Sequence, residues 1–499
     1  MPACVWKLLL LLYLVAVTVQ GECVPKMIPK TESPVCVCNV LYCDTIAPVE
    51  RVLSSKYVLY TTSKSGKRLQ RDVQSFTNNI TRSTIIELDI KKEYQTIIGW
   101  GGAITDSVGI NIRNLSTETQ KKLLKSYFSD EGLEYNLIRV PIGGTDFSIH
   151  NYTYDDGIED AELAHFSLAK EDLEYKIPVL KLANTYSNNT LQLLGSSWYA
   201  PNWMQTHNNT KRGYIKRSMY QVWADYHIKF LKSYKEYGLG FWAITTGNEP
   251  VDSSSYVKWH AKPIGIWIAS NLGPAIRNSE FSNIEILIMD DSRSSLPWFV
   301  DRAFSYKDAK KYIQGIAVHW YGDETFPPKL LDVTHNRHPD KFILYTEACV
   351  TKKQVGIHQG SWRFAESYAR DILQNLNHWC TGWIDWNIAL NMEGGPTFTH
   401  NEVHSPIFVN TTKDEFYKQP MYYILGHFSK FILQSSVRIE HKCTNKNLAV
   451  VALKRPDGGI VIVVLNKSNK KIPVTINVEK GKYINLNVMA KSIITIIYW

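Results

Sequence analysis

The stretch Phe241-Trp242-Ala243-Ile244-Thr245-Thr246-Gly247-Asn248-Glu249-Pro250 runs apolar and β-branched, then breaks at glycine, asparagine, glutamate and proline. That is the pattern of a buried strand that stops and presents a carboxylate at its C-terminal tip. A second stretch, Phe342-Ile343-Leu344-Tyr345-Thr346-Glu347-Ala348-Cys349, repeats the pattern with Glu347. In a parallel (β/α)8 barrel the groups that do chemistry sit at those strand tips. Two glutamates facing each other across one site are what glycosidic-bond hydrolysis needs.

The surrounding sequence supports the barrel. From Ile97 onward, apolar runs alternate with helical stretches such as Gln120–Phe128 and Tyr220–Tyr237, the rhythm of repeated βα units. Strand endings are expected near Gly101, Arg139 to Pro141, Leu194 to Trp198, Glu249, Met289 to Asp291, His319, Glu347 and Asp385 to Asn387. After about residue 436 only strand-like runs remain: 448–453, 460–465, 472–478 and 493–498, with Asp457-Gly458-Gly459 as a hairpin turn. Alternating runs between 47 and 94 are expected to complete a β-sandwich with them. A chain of 499 residues accommodates a large barrel and smaller units.

The first residues read as a secretory signal peptide, residues 1–21: Lys7 precedes an apolar run from Leu8 to Val19, too short for a membrane span. No second long apolar run follows, so no transmembrane segment is expected. Seven Asn-x-Ser/Thr sequons, at Asn79, Asn114, Asn151, Asn188, Asn208, Asn410 and Asn466, are candidate glycosylation sites on that route. Cys23, Cys36, Cys38 and Cys43 crowd the mature N-terminus and in an oxidising compartment form two disulfides, in any of three pairings. Cys349, Cys380 and Cys443 are left over, so at least one thiol stays free. The net charge of +9, with lysines clustered at 310–311, 352–353 and 467–471, reads first as a solvated basic surface. Its sharper reading is attraction to anionic lipid or an acidic helper protein. No nucleic-acid partner is expected.

Several constellations were weighed at the strand tips. Asn248 before Glu249 can donate to a sugar 2-hydroxyl, and Glu249 suits a general acid if shielded from solvent. Glu347, held by Tyr345-Thr346 and Ala348-Cys349, suits an ionised nucleophile. His319-Trp320-Tyr321 at another tip can supply hydrogen-bond donors to it. Arg139 can grip a carboxylate through two hydrogen bonds. Asp146 can bind sugar hydroxyls, and Trp198 and Trp386 offer stacking faces, although core packing explains any single aromatic equally well. Gly99-Trp100-Gly101-Gly102 lacks a following Lys-Ser/Thr and reads as a tight strand-end turn, not a phosphate loop. His400 and His404 are four apart without a third ligand, so no metal is assigned. No Gly-x-Ser-x-Gly elbow points to an esterase.

Longer runs carry a resemblance: Ser126-Tyr127-Phe128-Ser129, Tyr135 to Pro141, Gly315 to Tyr321, Glu347 to Val350, Trp386-Asn387 through Glu393 to Pro396, and Phe416 to Tyr422. Over nearly the whole mature chain the sequence resembles the glucosylceramidases of glycoside hydrolase family 30. The resemblance implies a (β/α)8 TIM barrel with an all-β sandwich domain and a small disulfide-stapled β module. It implies domains of 22–46 plus 388–419 for the module, 47–94 plus 436–499 for the sandwich, and 95–387 plus 420–435 for the barrel. It implies Glu249 as acid/base and Glu347 as nucleophile. It implies that Asp146, Trp198, Asn248, Trp386 and Asn401 contact glucose, with Arg139, His319 and Tyr321 around the carboxylates. It further implies the pairings Cys23–Cys36 and Cys38–Cys43, no cofactor, and lysosomal delivery through the secretory pathway. Glucosylceramide as substrate, a saposin-type activator and peripheral contact with an anionic lipid surface are its implied partners. The sequence departs from the family at Gly247, where the mammalian enzymes carry a second glutamate whose loss lowers the acid's pKa. It departs again in a shorter segment from Val251 to Ser270. Those departures keep two rivals in view: a secreted β-glycosidase for soluble or polysaccharide β-glucosides, and a non-catalytic glycan-binding paralogue.

Overall fold

Eight parallel strands close on one another in chain order: β1 (Gly99–Ala103), β2 (Leu137–Ile142), β3 (Gln192–Ser197), β4 (Phe241–Thr245), β5 (Glu285–Ser292), β6 (Gly315–His319), β7 (Phe342–Glu347) and β8 (Cys380–Asn387), with β8 pairing back onto β1. The computed structural model describes residues 21–499 except 82–83, 207–212, 253–254, 352–356 and 480. The signal-peptide reading of residues 1–21, the sequon at Asn208 and the lysines at 352–353 therefore fall wholly or largely outside the described residues.

The barrel interior explains why these strands read as apolar runs. Leu137, Leu194, Ala243, Leu287, Ala317, Leu344 and Ile384, one from each of β2 to β8, form a cluster of their own, all at 0% exposure. Such a filled layer makes the barrel a packed core and not a pore. The remaining strand, β1, contributes Gly101, the register neighbour of Ile384 on one side and Leu137 on the other. A Cβ at Gly101 would lie 1.8 Å from the Leu137 carbonyl oxygen. The glycine-rich segment expected as a turn is thus a barrel strand, and its glycines permit close approach of neighbouring backbone.

A nine-stranded sheet joins Lys56–Ser63, Gln70–Ser75 and Thr84–Thr96, before the barrel, to six strands between Val437 and Tyr498. Alternation divides it: Ile462, Val464, Ile494 and Ile496 pack within one core, while Val461, Val463, Leu465, Ile493 and Ile497 join the main core shared with the barrel helices. Two strands lie outside the expected runs, Val437–Cys443 and Lys482–Val488; the second pairs with Ile472–Glu479, bridges to Thr77 through Tyr483, and is interrupted by Asn485 and Asn487. A five-stranded sheet combines Pro25–Lys26 and Val35–Asn39 with Glu415–Lys418, Ile407–Asn410 and Leu390–Asn391. It is stapled by Cys23–Cys36 and Cys38–Cys43; Cys349, Cys380 and Cys443 are free.

Among the sequons, Asn79, Asn114, Asn151 and Asn188 are exposed and Asn410 is half-buried. Asn466 corrects the expectation. It is fully buried, and its amide donates to the carbonyls of Lys470 (2.8 Å), Val488 (3.2 Å) and Met489 (2.8 Å). A glycan on that nitrogen is incompatible with this packing.

Two outcomes follow. Gly101→Ala should cost more than about 4 kcal/mol, because backbone across the barrel seam cannot yield. It is expected to abolish soluble folded protein by yield and far-UV circular dichroism, whereas Gly240→Ala, with no atom within 4 Å of the added Cβ, should be tolerated. Peptide mapping of the protein expressed through a eukaryotic secretory pathway should find Asn466 unmodified; a glycan there would refute the hydrogen-bonded placement of its amide.

Candidate active site

The C-terminal rim of the barrel is irregular where the chemistry gathers. Register shifts interrupt the β5–β6 ladder between Met289 and Asp291, the β6–β7 ladder between Val318 and His319, and the β8–β1 ladder between Asp385 and Asn387. Bulges of this kind re-aim side chains next to active sites. Met289 and Asp290 adopt φ of +84° and +53°, and Glu249 adopts +47°. For non-glycine residues such backbone persists only where surrounding structure enforces it. Here Glu249 N–H donates to the Asp290 carbonyl (2.8 Å) and Asn248 N–H to that of Ser197 (2.9 Å). Glu249 lies four residues beyond the end of β4, in the turn at its C-terminal tip. Gly247 supplies a φ of +120° within that turn, a conformation L side chains rarely adopt.

Arg139, from β2, is fully buried beneath the site. Its Nη1 donates to Glu347 Oε2 at 2.5 Å, and its Nη2 reaches Asp290 Oδ2 (2.7 Å), Asn248 Oδ1 (2.9 Å) and Ser196 Oγ (3.3 Å). By occupying Asn248 Oδ1 it turns the amide NH2 of that side chain toward the cavity. The guanidinium lies 4.6 Å from the Trp198 ring and 5.4 Å from that of Trp386, and the two indoles stack at 4.9 Å. The tryptophans therefore serve as cover for a buried cation as well as walls of the cavity.

His319, also fully buried, meets Glu249 Oε1 through Nδ1 and Asp290 Oδ1 through Nε2, both at 3.0 Å. Burial alone would lower its pKa, but the charges of Glu347 and Asp290 prevail and hold it at about 10. It is thus an imidazolium that donates from both nitrogens. Asp290 is burdened by the same burial, yet Arg139, His319 and hydrogen bonds from Ser196 (2.6 Å) and Thr346 (2.7 Å) hold it far below the usual carboxylate range. Tyr321 donates to Glu347 Oε1 at 2.7 Å and contacts Cys349 Sγ at 3.1 Å. Both oxygens of Glu347 therefore accept a hydrogen bond.

The other carboxyls behave oppositely. Glu249 is raised to about 7, by burial first and by Glu347 next, against the opposing His319. Asp146 is raised to about 7 by burial, although Asn401 Nδ2 donates to it at 2.9 Å. Burial lifts Asp385, which accepts from Tyr368 at 2.6 Å, to about 8. The loss of a carboxylate at Gly247 thus leaves Glu249 well above its ordinary value.

A cavity of about 400 Å³ is bordered by Glu249, Glu347, Asp146, Asn248, Trp198, Trp386, Tyr321 and Asn401. Arg139 and His319 lie behind it, so all ten site residues expected from the sequence are gathered at one place. Sequence reasoning missed Asp290, Ser196 and Thr346. The signal for Asp290 was available, since Met289-Asp290-Asp291 was read as a strand ending. Thr346 was read only as a support for Glu347 and not as a donor to Asp290, and nothing linear marked Ser196. Glu249, His319 and Glu347 bring oxygen and nitrogen atoms within 4.8 Å of one another. His319 commits both nitrogens to carboxylates, which leaves no imidazole lone pair for an ion.

A closed parallel barrel with carboxyl groups of opposite electrostatic character converging at its C-terminal rim is the architecture of a glycoside hydrolase. The chain belongs to glycosyl hydrolase family 30: residues 97–432 match its TIM-barrel domain and residues 435–496 its β-sandwich domain. It is 41% identical over 472 residues to the lysosomal acid glucosylceramidase of Mus musculus, covering 91% of each chain. It is 39% identical over 518 residues to putative glucosylceramidase 3 of Caenorhabditis elegans, covering 99% of each. Among solved structures, SrfJ from Salmonella typhimurium superposes with a TM-score of 0.84 at 27% identity, over 89% of this chain and 99% of that one.

Asp290→Asn tests the electrostatic frame. It leaves Arg139 and His319 short of a buried partner and should cost about 3–5 kcal/mol. Because Asp290 raises the His319 pKa, its loss should move the imidazole titration to lower pH, read by NMR of the ring nitrogens. An unshifted titration would contradict the assigned contact.

Proposed function

We propose that the protein is a retaining β-glucosidase that hydrolyses glucosylceramide to glucose and ceramide by double displacement. The observation that carries the reading is separation: a carboxylate oxygen of Glu249 and one of Glu347 lie within 4.8 Å of each other. Retaining glycosidases hold their carboxyl groups about 5–5.5 Å apart, whereas inverting enzymes need about 6.5–9.5 Å to admit a water. Glu347, gripped by Arg139 and Tyr321, attacks the anomeric carbon. Glu249, kept protonated by burial and by the neighbouring carboxylate, gives its proton to the departing ceramide oxygen. It then takes a proton from water, which releases glucose. Asn248 presents its NH2 toward the 2-hydroxyl, and Asp146 with Asn401 receives hydroxyls on the far side of the cavity.

Support for the lipid substrate comes from the two glucosylceramidase relatives. Among the described residues no helix is long and apolar enough to cross a membrane. The enzyme then meets a membrane-embedded glycolipid from the surface, and an anionic lipid surface and a saposin-type activator fit the basic charge of +9. Lysosomal delivery follows the mouse relative, with secretion as the alternative. A second reading rests on a 26% identical endo-1,6-beta-D-glucanase of Neurospora crassa, which matches 80% of this chain. A β-1,6-linked gluco-oligosaccharide is therefore the competing substrate.

The deciding assay offers glucosylceramide in anionic liposomes beside that oligosaccharide, with proton NMR of the first-formed anomer. Release of β-glucose from the glycolipid is expected; α-glucose, or turnover of the oligosaccharide alone, would reject the reading. Glu347→Gln should abolish turnover. Glu249→Gln should lower it roughly 10²–10⁴-fold. Because Glu249 must be protonated, kcat/KM in the wild type should fall as pH rises through about 7. A profile still rising above pH 8 would exclude Glu249 as the acid.

A further inference from the structure

The loop that follows β2 carries a cluster the glycosidase chemistry does not use. Asp155, Asp160 and His165 each direct one ligand atom to a point where all three lie within 4.8 Å of one another. Their spacing, four residues between each pair, matches no metal motif and gave no sign in the sequence. Asp155 is 3% exposed, and its Oδ2 has no hydrogen-bond partner. A carboxylate buried with an unmet oxygen is costly unless something compensates it. Asp160, 9% exposed, accepts from the His165 backbone N–H (2.8 Å) and lies 2.9 Å from His165 Nδ1.

The charge balance around the cluster is negative. Asp156, one residue on, is held by the Thr153 N–H and hydroxyl, both at 2.8 Å. Among the described residues Lys229, from the helix Tyr220–Glu236, faces the loop, and its Nζ donates to the Leu163 carbonyl at 2.5 Å. With Glu159 and Glu162 also on the loop, its carboxylates outnumber this ammonium. Burial, followed by the Asp160 charge, raises the Asp155 pKa, while His165 and Lys229 oppose them. Backbone N–H donors from the same loop lower that of Asp160 and keep it ionised.

We propose that Asp155, Asp160 and His165 form a site for a divalent transition ion, Zn²⁺ in the first instance, that clasps the loop from 155 to 165. Two carboxylates and one imidazole suit zinc better than magnesium or calcium, which favour oxygen alone. The ion takes the Asp155 oxygen that now lacks a partner and replaces the Nδ1 proton between His165 and Asp160. Exposure of the His165 ring gives it access from solvent. The role is structural. The same loop includes Asp146, and Trp203 Nε1 anchors it by donating to the Asp155 carbonyl at 2.9 Å. Because the ion competes with protons for its ligands, binding should tighten as pH rises.

The experiment uses the full chain, stripped with chelator and then dialysed against Zn²⁺, Mg²⁺ or Ca²⁺. Metal content is read by mass spectrometry and stability by thermal denaturation. Wild type is expected to retain one equivalent of zinc, with a higher Tm than the stripped protein and no matching shift from magnesium or calcium. Asp155→Asn and His165→Ala should each lose that equivalent and its Tm gain while turning over a soluble β-glucoside at the wild-type rate. Stripped Asp155→Asn should be at least as stable as stripped wild type, since an uncompensated buried charge is gone. His165→Ala, altering an exposed ring, keeps the test valid should Asp155→Asn fail to fold. Wild type without retained zinc would overturn the proposal, as would variants that retain as much zinc as wild type.

Discussion

One buried guanidinium organises the site. Arg139 has no access to water, so its charge must be answered inside the protein, and the answer comes from Glu347 and Asp290 together. A single carboxylate would balance the charge but leave most of the five N–H donors unmet. Two carboxylates, an asparagine and a serine meet four contacts, while the Nε finds no partner. The second carboxylate then creates an excess negative charge, and His319 answers that by staying protonated. Each group is explained by the one before it. Removing one member unbalances the others, so double substitutions within the set should be far from additive.

That frame separates carboxyls that are chemically alike. Asp290 and Glu249 both belong to the hydrogen-bond circle of His319, at 3.0 Å each. Asp290 also touches Arg139 and two hydroxyls, and stays ionised. Glu249 has the imidazolium alone and faces Glu347, so burial decides its state. A difference in neighbours of one guanidinium and two hydroxyl groups thus divides a permanent anion from a group able to exchange protons near neutrality. Barrel topology delivers this without long loops. Arg139, Ser196, Asp290, His319, Thr346 and Glu347 lie on or beside the ends of five different strands, and the bulges turn them inward.

The sequence was legible where burial imposes a pattern. Strands buried on both faces read as apolar runs, and residues such as Leu344 or Ile288 allow no other reading. The carboxylates were legible because a charge ending an apolar run is rare and needs a reason. Gly101 was misread because glycine marks a turn and a close backbone approach equally, and only the neighbour across the seam distinguishes them. Asn466 was misread because a sequon is a local string, whereas access depends on strands folding over it from 20 residues away. Ser196, and the bond from Thr346 to Asp290, were invisible for a related reason. A hydroxyl on a strand is ordinary until an ionised carboxylate is placed beside it by another strand.

Gly247 shows how the backbone before the acid constrains the site. At φ +120° a glutamate would strain the backbone, while glycine relaxes it and exposes no charge. The second carboxylate is not what keeps Glu249 protonated in this chain, because desolvation and Glu347 already suffice. A side chain at this position would face Ser197, whose hydroxyl would lie 3.6 Å from an added Cβ. Proton affinity at Glu249 is therefore set by its own burial and by Glu347, and the turn through Gly247 acts on it only by fixing where the carboxyl stands.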